Sequence, residues 1–184
     1  MISKKIEEGF NKQLNAELYA AYLYFAIGAW FEERNLDGFA HWMKAQAFEE
    51  TSHAMRFYKH VLNRGGHPTF SAIAKPEGAW NTPQEAFAAA YEHEVKVTKM
   101  INDLVDLAQA EKDNAALRGI LDWFVNEQIE EEEQTMVAVD RLKMLGDDKQ
   151  ALYLLDKEYG ARPLVTTAFI INPNAAGAAA DAGA

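Results

Sequence analysis

Four glutamates in this chain repeat one another's spacing. Glu17 and Glu50 lie 33 residues apart, Glu94 and Glu127 lie 33 apart, and the second pair is the first shifted by 77. Each stands inside a long helical pattern among apolar neighbours. Glu50 also opens Glu50-Thr51-Ser52-His53, which sets a carboxylate and an imidazole on one helix face. Taking an ion out of water is costly unless something compensates it. Core carboxylates gathered with one imidazole therefore imply bound cations. The chemistry they suggest is a carboxylate-bridged two-metal centre inside a four-helix bundle.

The apolar stripes say which carboxylates face inward. Residues three, four and seven positions from Glu17 include Phe10, Leu14, Ala21 and Tyr24. Around Glu50 they are Met43, Ala47, His53, Ala54 and Phe57, and around Glu94 they are Phe87, Ala90, Tyr91, Val97 and Ile101. All three glutamates lie on the stripe. A single one would ordinarily sit at its edge and snorkel outward, but three at matched heights do not fit that explanation.

Helix four carries the charge run Glu127-Gln128-Ile129-Glu130-Glu131-Glu132-Glu133, and such runs usually mark a solvated face. The stripe through Leu121, Phe124, Val125, Ala138, Leu142 and Leu145 passes through Gln128, Glu131 and Thr135, whereas the 77-residue offset nominates Glu127 and Glu130. Burial is decided locally, so the stripe is the better guide. The turn between helices three and four is then expected to hold one extra residue. One metal takes Glu17, Glu50 and His53, the other takes Glu94 and Glu131, and Glu50 bridges. Oxygen-rich ligands without thiolate fit iron or manganese better than zinc or copper. Tyr24 lies on the Glu17 face and is placed to donate an electron or a hydrogen bond to the centre. His41, His60, His67 and His93 lack matching partners and read as surface or structural residues.

The elements that must position these groups are long helices. The first is expected from about Lys4 to Arg34. The second starts after Asp37 as cap and stops at Gly65-Gly66. The third opens with the cap, N1 proline and capping-box glutamate of Thr82-Pro83-Gln84-Glu85 and runs to about Glu111. The fourth runs from near Asp113 to Gly146, and a short fifth follows with Asp147 as cap, ending near Tyr159-Gly160. Short turns make antiparallel hairpins of helices one and two and of helices three and four. The 17 residues from Gly65 to Asn81 suit an end-to-end crossover between hairpins. The expected fold is all-α: an antiparallel four-helix bundle with a long crossover between helices two and three and a short fifth C-terminal helix. Residues 1–160 form this domain, and 161–184 form a weakly ordered, Ala/Gly-rich tail.

The totals agree. The chain has 184 residues, 49% of them hydrophobic and 25% charged, enough for one domain with a real core. A net charge of −10 disfavours nucleic acid or an anionic membrane as partner and suits the attraction of cations. With no cysteine, a disulfide framework, a thiolate zinc site and an iron–sulfur centre are all excluded. No apolar run reaches the length of a membrane span, and the N-terminus lacks the apolar core of a signal peptide, so a cytoplasmic location is expected.

The sequence resembles the bacterial and archaeal non-haem ferritins from about Ile6 to Tyr159. The resemblance rests on Asn15-Ala16-Glu17-Leu18-Tyr19, Phe48-Glu49-Glu50-Thr51-Ser52-His53-Ala54, Tyr91-Glu92-His93-Glu94, Asn126-Glu127-Gln128-Ile129-Glu130-Glu131-Glu132 and Leu154-Leu155-Asp156-Lys157-Glu158. It implies a ferroxidase centre with Glu17, Glu50 and His53 at the first iron, Glu94 and Glu131 at the second, and Gln128 adjacent. It further implies a third iron at Glu49, Glu127 and Glu130, with Glu131 shared, and a near-centre role for Tyr24. Fe(II) is oxidised there by O2 or H2O2 and stored as ferric mineral in a homo-oligomeric shell of 24 subunits whose fifth helices line the four-fold axes. Bacterioferritin has methionine directly after the helix-two glutamate and a second E-x-x-H on helix four. This chain has Thr51 and Glu130 or Glu131 there, so no haem is expected. Two departures stand out: the segment Asn114 to Gly119 is one residue longer than usual, and the tail after Pro163 is longer and more apolar. A non-storage oxygenase or radical-generating subunit on the same bundle is the competing reading, and a shell with a degenerate centre is the third.

Overall fold

Apolar residues recur at helical spacing through most of the chain, and the stop signals fall between the periodic stretches. The computed structural model describes residues 1–76 and 78–163, and these contain helices and no strand. Helix α1 (Lys4–Glu32) begins at Ser3, whose hydroxyl accepts from the Ile6 N–H. Helix α2 (Asp37–Asn63) follows a tight turn in which Asn35 has a φ of 57°. Helix α3 (Pro83–Ala110) is capped by Thr82, which accepts from the Glu85 N–H, while Glu85 accepts in return from the Asn81 N–H. The fourth helix, α4, has three consecutive parts: Asn114–Ala116, a π-helical turn at Leu117–Leu121, and Asp122–Leu145. Helix α5 (Lys149–Tyr159) ends the described fold. The tail expected over 161–184 lies outside the described residues from 164 onward.

Three local expectations are corrected. Asp37 is the first helical residue of α2, and the cap position, Leu36, gives no side-chain bond. The α2 N-terminus is satisfied from a distance instead: Asp156 Oδ1 on α5 accepts from the buried Phe39 N–H at 2.8 Å. Gly38 permits this approach, because a Cβ there would stand 1.7 Å from the Asp156 carbonyl oxygen. The cap of α5 is Asp148, not Asp147, and its carboxylate accepts from Gln150 and Ala151. The third correction concerns the extra residue before the helix-four ligands. The α3–α4 turn is no longer than its counterpart, with three residues (111–113) against four (33–36). The extra residue is housed in the π-turn, which takes one residue more than an α-turn over the same advance.

α1 packs along α2 and α3 along α4, and α5 lies across the start of α2. The crossover is strapped to α1 by a ladder one helical turn per rung. Glu7 accepts from the His67 N–H, Asn11 bonds the His67 carbonyl and the Thr69 N–H, and Asn15 accepts from the Ser71 N–H.

The core is layered. At one end Phe31, Phe39, Trp42 and Phe87 form an aromatic cluster with Tyr159 of α5 packed against it. At the other end Phe10, Phe57, Ile101 and Phe124 form a second cluster, with the Phe57 and Phe124 rings stacked at 4.4 Å. Between them every helix turns polar: Gln13 and Glu17, Gln46, Glu50 and His53, Glu94, then Gln128 and Glu131 are all buried. Burying an aromatic or aliphatic side chain contributes about 1.5–3 kcal/mol. Two such layers offset a polar layer that would not hold together alone.

Candidate metal centre

Each helix delivers its polar residue from a different side, and each carboxylate is held by a neighbour. Gln13 lies one turn before Glu17 and donates to its Oε1 at 2.8 Å. Gln46 lies one turn before Glu50 but reaches across to donate to Glu131 Oε2. The Tyr24 hydroxyl donates to Glu94 Oε1 at 2.6 Å, and Gln128 Nε2 lies 3.4 Å from Glu94 Oε2. Three oxygens are left over. Glu17 Oε2, Glu50 Oε1 and Gln46 Oε1 are buried with no hydrogen-bond partner. An orphaned buried acceptor is rare in a folded protein, and a carboxylate oxygen in that state fits a cation.

One ligand atom from each of Glu17, Glu50 and His53 lies within 4.8 Å of the others, and the same holds for His53, Glu127 and Glu131. His53 stands between the two groups, with Nδ1 3.5 Å from Glu50 Oε2 and Nε2 3.6 Å from Glu127 Oε1. Its ring is braced edge-on by Trp123 and Phe124.

The electrostatics are those of a cation site. Burial, then Glu50, pushes the Glu17 carboxyl well above its ordinary range. Burial pushes Glu131 well up too, with Glu50 and Glu94 adding to it. Burial raises Glu94 to about 7 against the opposing pull of the Tyr24 hydrogen bond. Glu50 is raised by burial, and His53 moderates the effect. His53 itself is pushed down by burial, but Glu50, Glu127 and Glu17 outweigh that and carry it well above the usual imidazole value.

Of the residues singled out in the sequence, Glu17, Tyr24, Glu50, His53, Glu94, Gln128 and Glu131 are all buried in this layer. Glu130 is exposed, and Glu49 and Glu127 are half-buried. Glu94 belongs to neither of the compact ligand groups, and neither do Glu49 and Glu130. Glu49 is paired instead with Arg162. Gln13 and Gln46 escaped the sequence reading, though a signal was present: each stands four residues before a core glutamate, on the same stripe. Arg162 carried no such signal.

A buried carboxylate–imidazole layer between apolar layers of a crossover four-helix bundle defines the ferritin-like class of proteins. The ferritin-like domain model matches residues 7–145. The bacterial non-heme ferritin of Bacteroides fragilis (strain 638R) is 39% identical over 162 residues, covering 88% of this chain and 100% of its own. That of Staphylococcus aureus (strain USA300) is 36% identical over 162 residues, covering 88% and 97%. Among solved structures, an open pore ferritin from the hyperthermophilic archaeon Archaeoglobus fulgidus superposes with a TM-score of 0.87 at 44% identity, over 89% of this chain and 100% of that one. The chain belongs to the ferritin family of iron-storage proteins. No helix among the described residues is long and apolar enough to cross a membrane.

Proposed function

We propose that this chain is the ferroxidase subunit of an iron-storing shell. Fe(II) is the substrate. The reading is carried by the orphaned, fully buried oxygens of Glu17 and Glu50 beside His53. The first Fe(II) takes Glu17, Glu50 and His53, and the second takes Glu94 and Glu131, with Gln128 adjacent. Glu50 bridges them, in keeping with its electrostatic effect on both Glu17 and Glu131. Glu127 faces His53 Nε2, an arrangement that orients the ring and leaves Nδ1 for metal. Each Fe(II) gives up one electron. O2 takes the pair with two protons to give H2O2, and H2O2 itself serves as the alternative oxidant. The Fe(III) product moves past the flanking carboxylates Glu49, Glu127 and Glu130, where a third iron binds, and is deposited as mineral.

Residues 1–160 form the shell-building unit and 161–184 its tail. The shell is a homo-oligomer of 24 subunits in the cytoplasm, with α5 at its four-fold axes. No haem takes part. Native mass measured before and after addition of Fe(II) in air, alongside the ratio of iron oxidised to O2 consumed, tests the proposal. A small oligomer that oxidises iron yet never gains mineral mass would sink the storage reading and favour a non-storage oxygenase.

A further inference from the structure

The three carboxylates of the flanking site are unequally engaged. Glu130 is exposed, Glu127 faces His53, and Glu49 is taken by an arginine from the far end of the chain. That arginine, Arg162, is the third residue beyond α5, and its position is fixed from three sides. Its carbonyl oxygen accepts from His41 Nε2 at 2.7 Å. Its guanidinium carbon lies 5.0 Å from the centre of the Trp42 ring. One terminal nitrogen, Nη2, donates to Glu49 Oε2. The pair is largely enclosed, with side-chain exposures of 19% for Arg162 and 25% for Glu49. His41, Trp42 and Glu49 all belong to α2, so this contact runs from the end of the chain to the helix that also carries Glu50 and His53.

Two further facts define what the contact does. A metal at Glu49 needs the carboxylate oxygens that face Arg162, and a guanidinium and a divalent cation cannot share them without strong repulsion. The guanidinium is also incompletely satisfied: Nη1 is buried with no hydrogen-bond partner among the described residues. Leaving such a donor unmade is unfavourable, so the pairing falls short of the two-pronged Arg–carboxylate optimum and can be displaced.

Resting on the flanking metal site proposed above, we propose that Arg162 is an internal cation that occupies Glu49 in the metal-free subunit, so that the third metal binds by exchange with the guanidinium. Arg162 thereby sets the affinity of the flanking site without touching the two-metal centre. It keeps Glu49 neutralised while that site is empty and gives the departing Fe(III) a weaker hold than bare carboxylates would.

Zn(II) titration of the full chain by calorimetry, with native mass confirming the assembly, tests this on wild type, R162Q, R162K and E49Q. Wild type is expected to show two tight binding events per subunit and a weaker third. R162Q should tighten the third about tenfold, the scale of releasing one enclosed ion pair, and leave the first two unchanged. R162K, which keeps the charge but loses the planar fork, should fall between, and E49Q should abolish the third event alone. An unchanged or weakened third event in R162Q, with the first two intact, overturns the latch, and so does a third event missing from both wild type and R162Q. Loss of the two tight events in wild type would instead overturn the two-metal reading.

Discussion

The Tyr24 hydroxyl donates a 2.6 Å hydrogen bond to Glu94 Oε1, joining α1 to α3 across the polar layer. Burial, with Glu94, Glu131 and Glu50 adding to it, pushes the phenol well above its ordinary pKa, so Tyr24 keeps its proton and its donor role. Tyr24→Phe is expected to fold and assemble normally but to weaken the second metal position, by roughly tenfold on the scale of lost orienting hydrogen bonds. Zn(II) calorimetry reads this directly. Undiminished affinity with slowed oxidation would assign Tyr24 to electron donation instead.

His53→Ala removes a metal ligand and also the one imidazole of the layer. It should slow the rise in Fe(II)-oxidation absorbance after rapid mixing by at least about a hundredfold, in line with losing a positioned ligand. The metal-free variant should also melt at a lower temperature at neutral pH, because a raised His53 pKa means that its positive form stabilises the neighbouring carboxylates. Wild-type oxidation rates would remove the Glu50-x-x-His53 pair from the mechanism.

The metal-free protein should lose stability as pH rises. Glu17, Glu94 and Glu131 are raised on folding, Glu94 to about 7. A carboxyl raised in this way binds its proton more tightly folded than unfolded, so its contribution is lost as pH climbs through the folded value. A raised His53 acts in the same direction. Melting temperature should therefore fall between pH 6 and pH 8 without metal. Zn(II) should reverse the trend, since a cation replaces the protons and stabilises by about 2.7 kcal/mol per site at a hundredfold excess over Kd. A metal-free melting temperature that rises over this interval would count against the charge-strained layer.

Glu131→Ala and Glu130→Ala separate the two registers of α4. Glu131 is 2% exposed and held by Gln46, whereas Glu130 is exposed. Glu131→Ala should abolish the first oxidation burst at two irons per subunit. Glu130→Ala should keep the burst and change turnover at large iron excess. Interchanged phenotypes would show that the offset in the sequence, and not the apolar stripe, sets the working ligands.

The helices and the buried glutamates were legible because burial leaves a periodic trace. Glu17, Glu50 and Glu94 each break an apolar stripe that continues on both sides, and the stripe through Phe124 and Ala138 selected Gln128 and Glu131 over their neighbours. What escaped depends on contacts that sequence spacing does not encode. Asp37 has the chemistry of a cap, yet the α2 N-terminus is closed by Asp156, more than a hundred residues later. Gln46 stands one turn from Glu50 but serves Glu131 on another helix. Arg162 lies in a stretch with no periodicity, and only the packing of α5 on α2 carries it to Glu49. The extra residue was detectable by count, but its housing in a π-turn was not, because a turn and a helix absorb an insertion equally well on paper.

That π-turn, Leu117–Leu121, has a consequence for how the two halves are related. A duplicated hairpin without the inserted residue would present Glu127-x-x-Glu130 inward, in register with Glu50-x-x-His53. One insertion rotates the later half of the copy by about 100° and brings Gln128 and Glu131 inside. A symmetric ancestor's two equal ligand sets become unequal, one with an imidazole and one with an amide. The displaced carboxylates are not lost but stranded beside the centre, free to be recruited for a separate task. On this account the asymmetry of the site and the existence of a flank share one origin, a single codon.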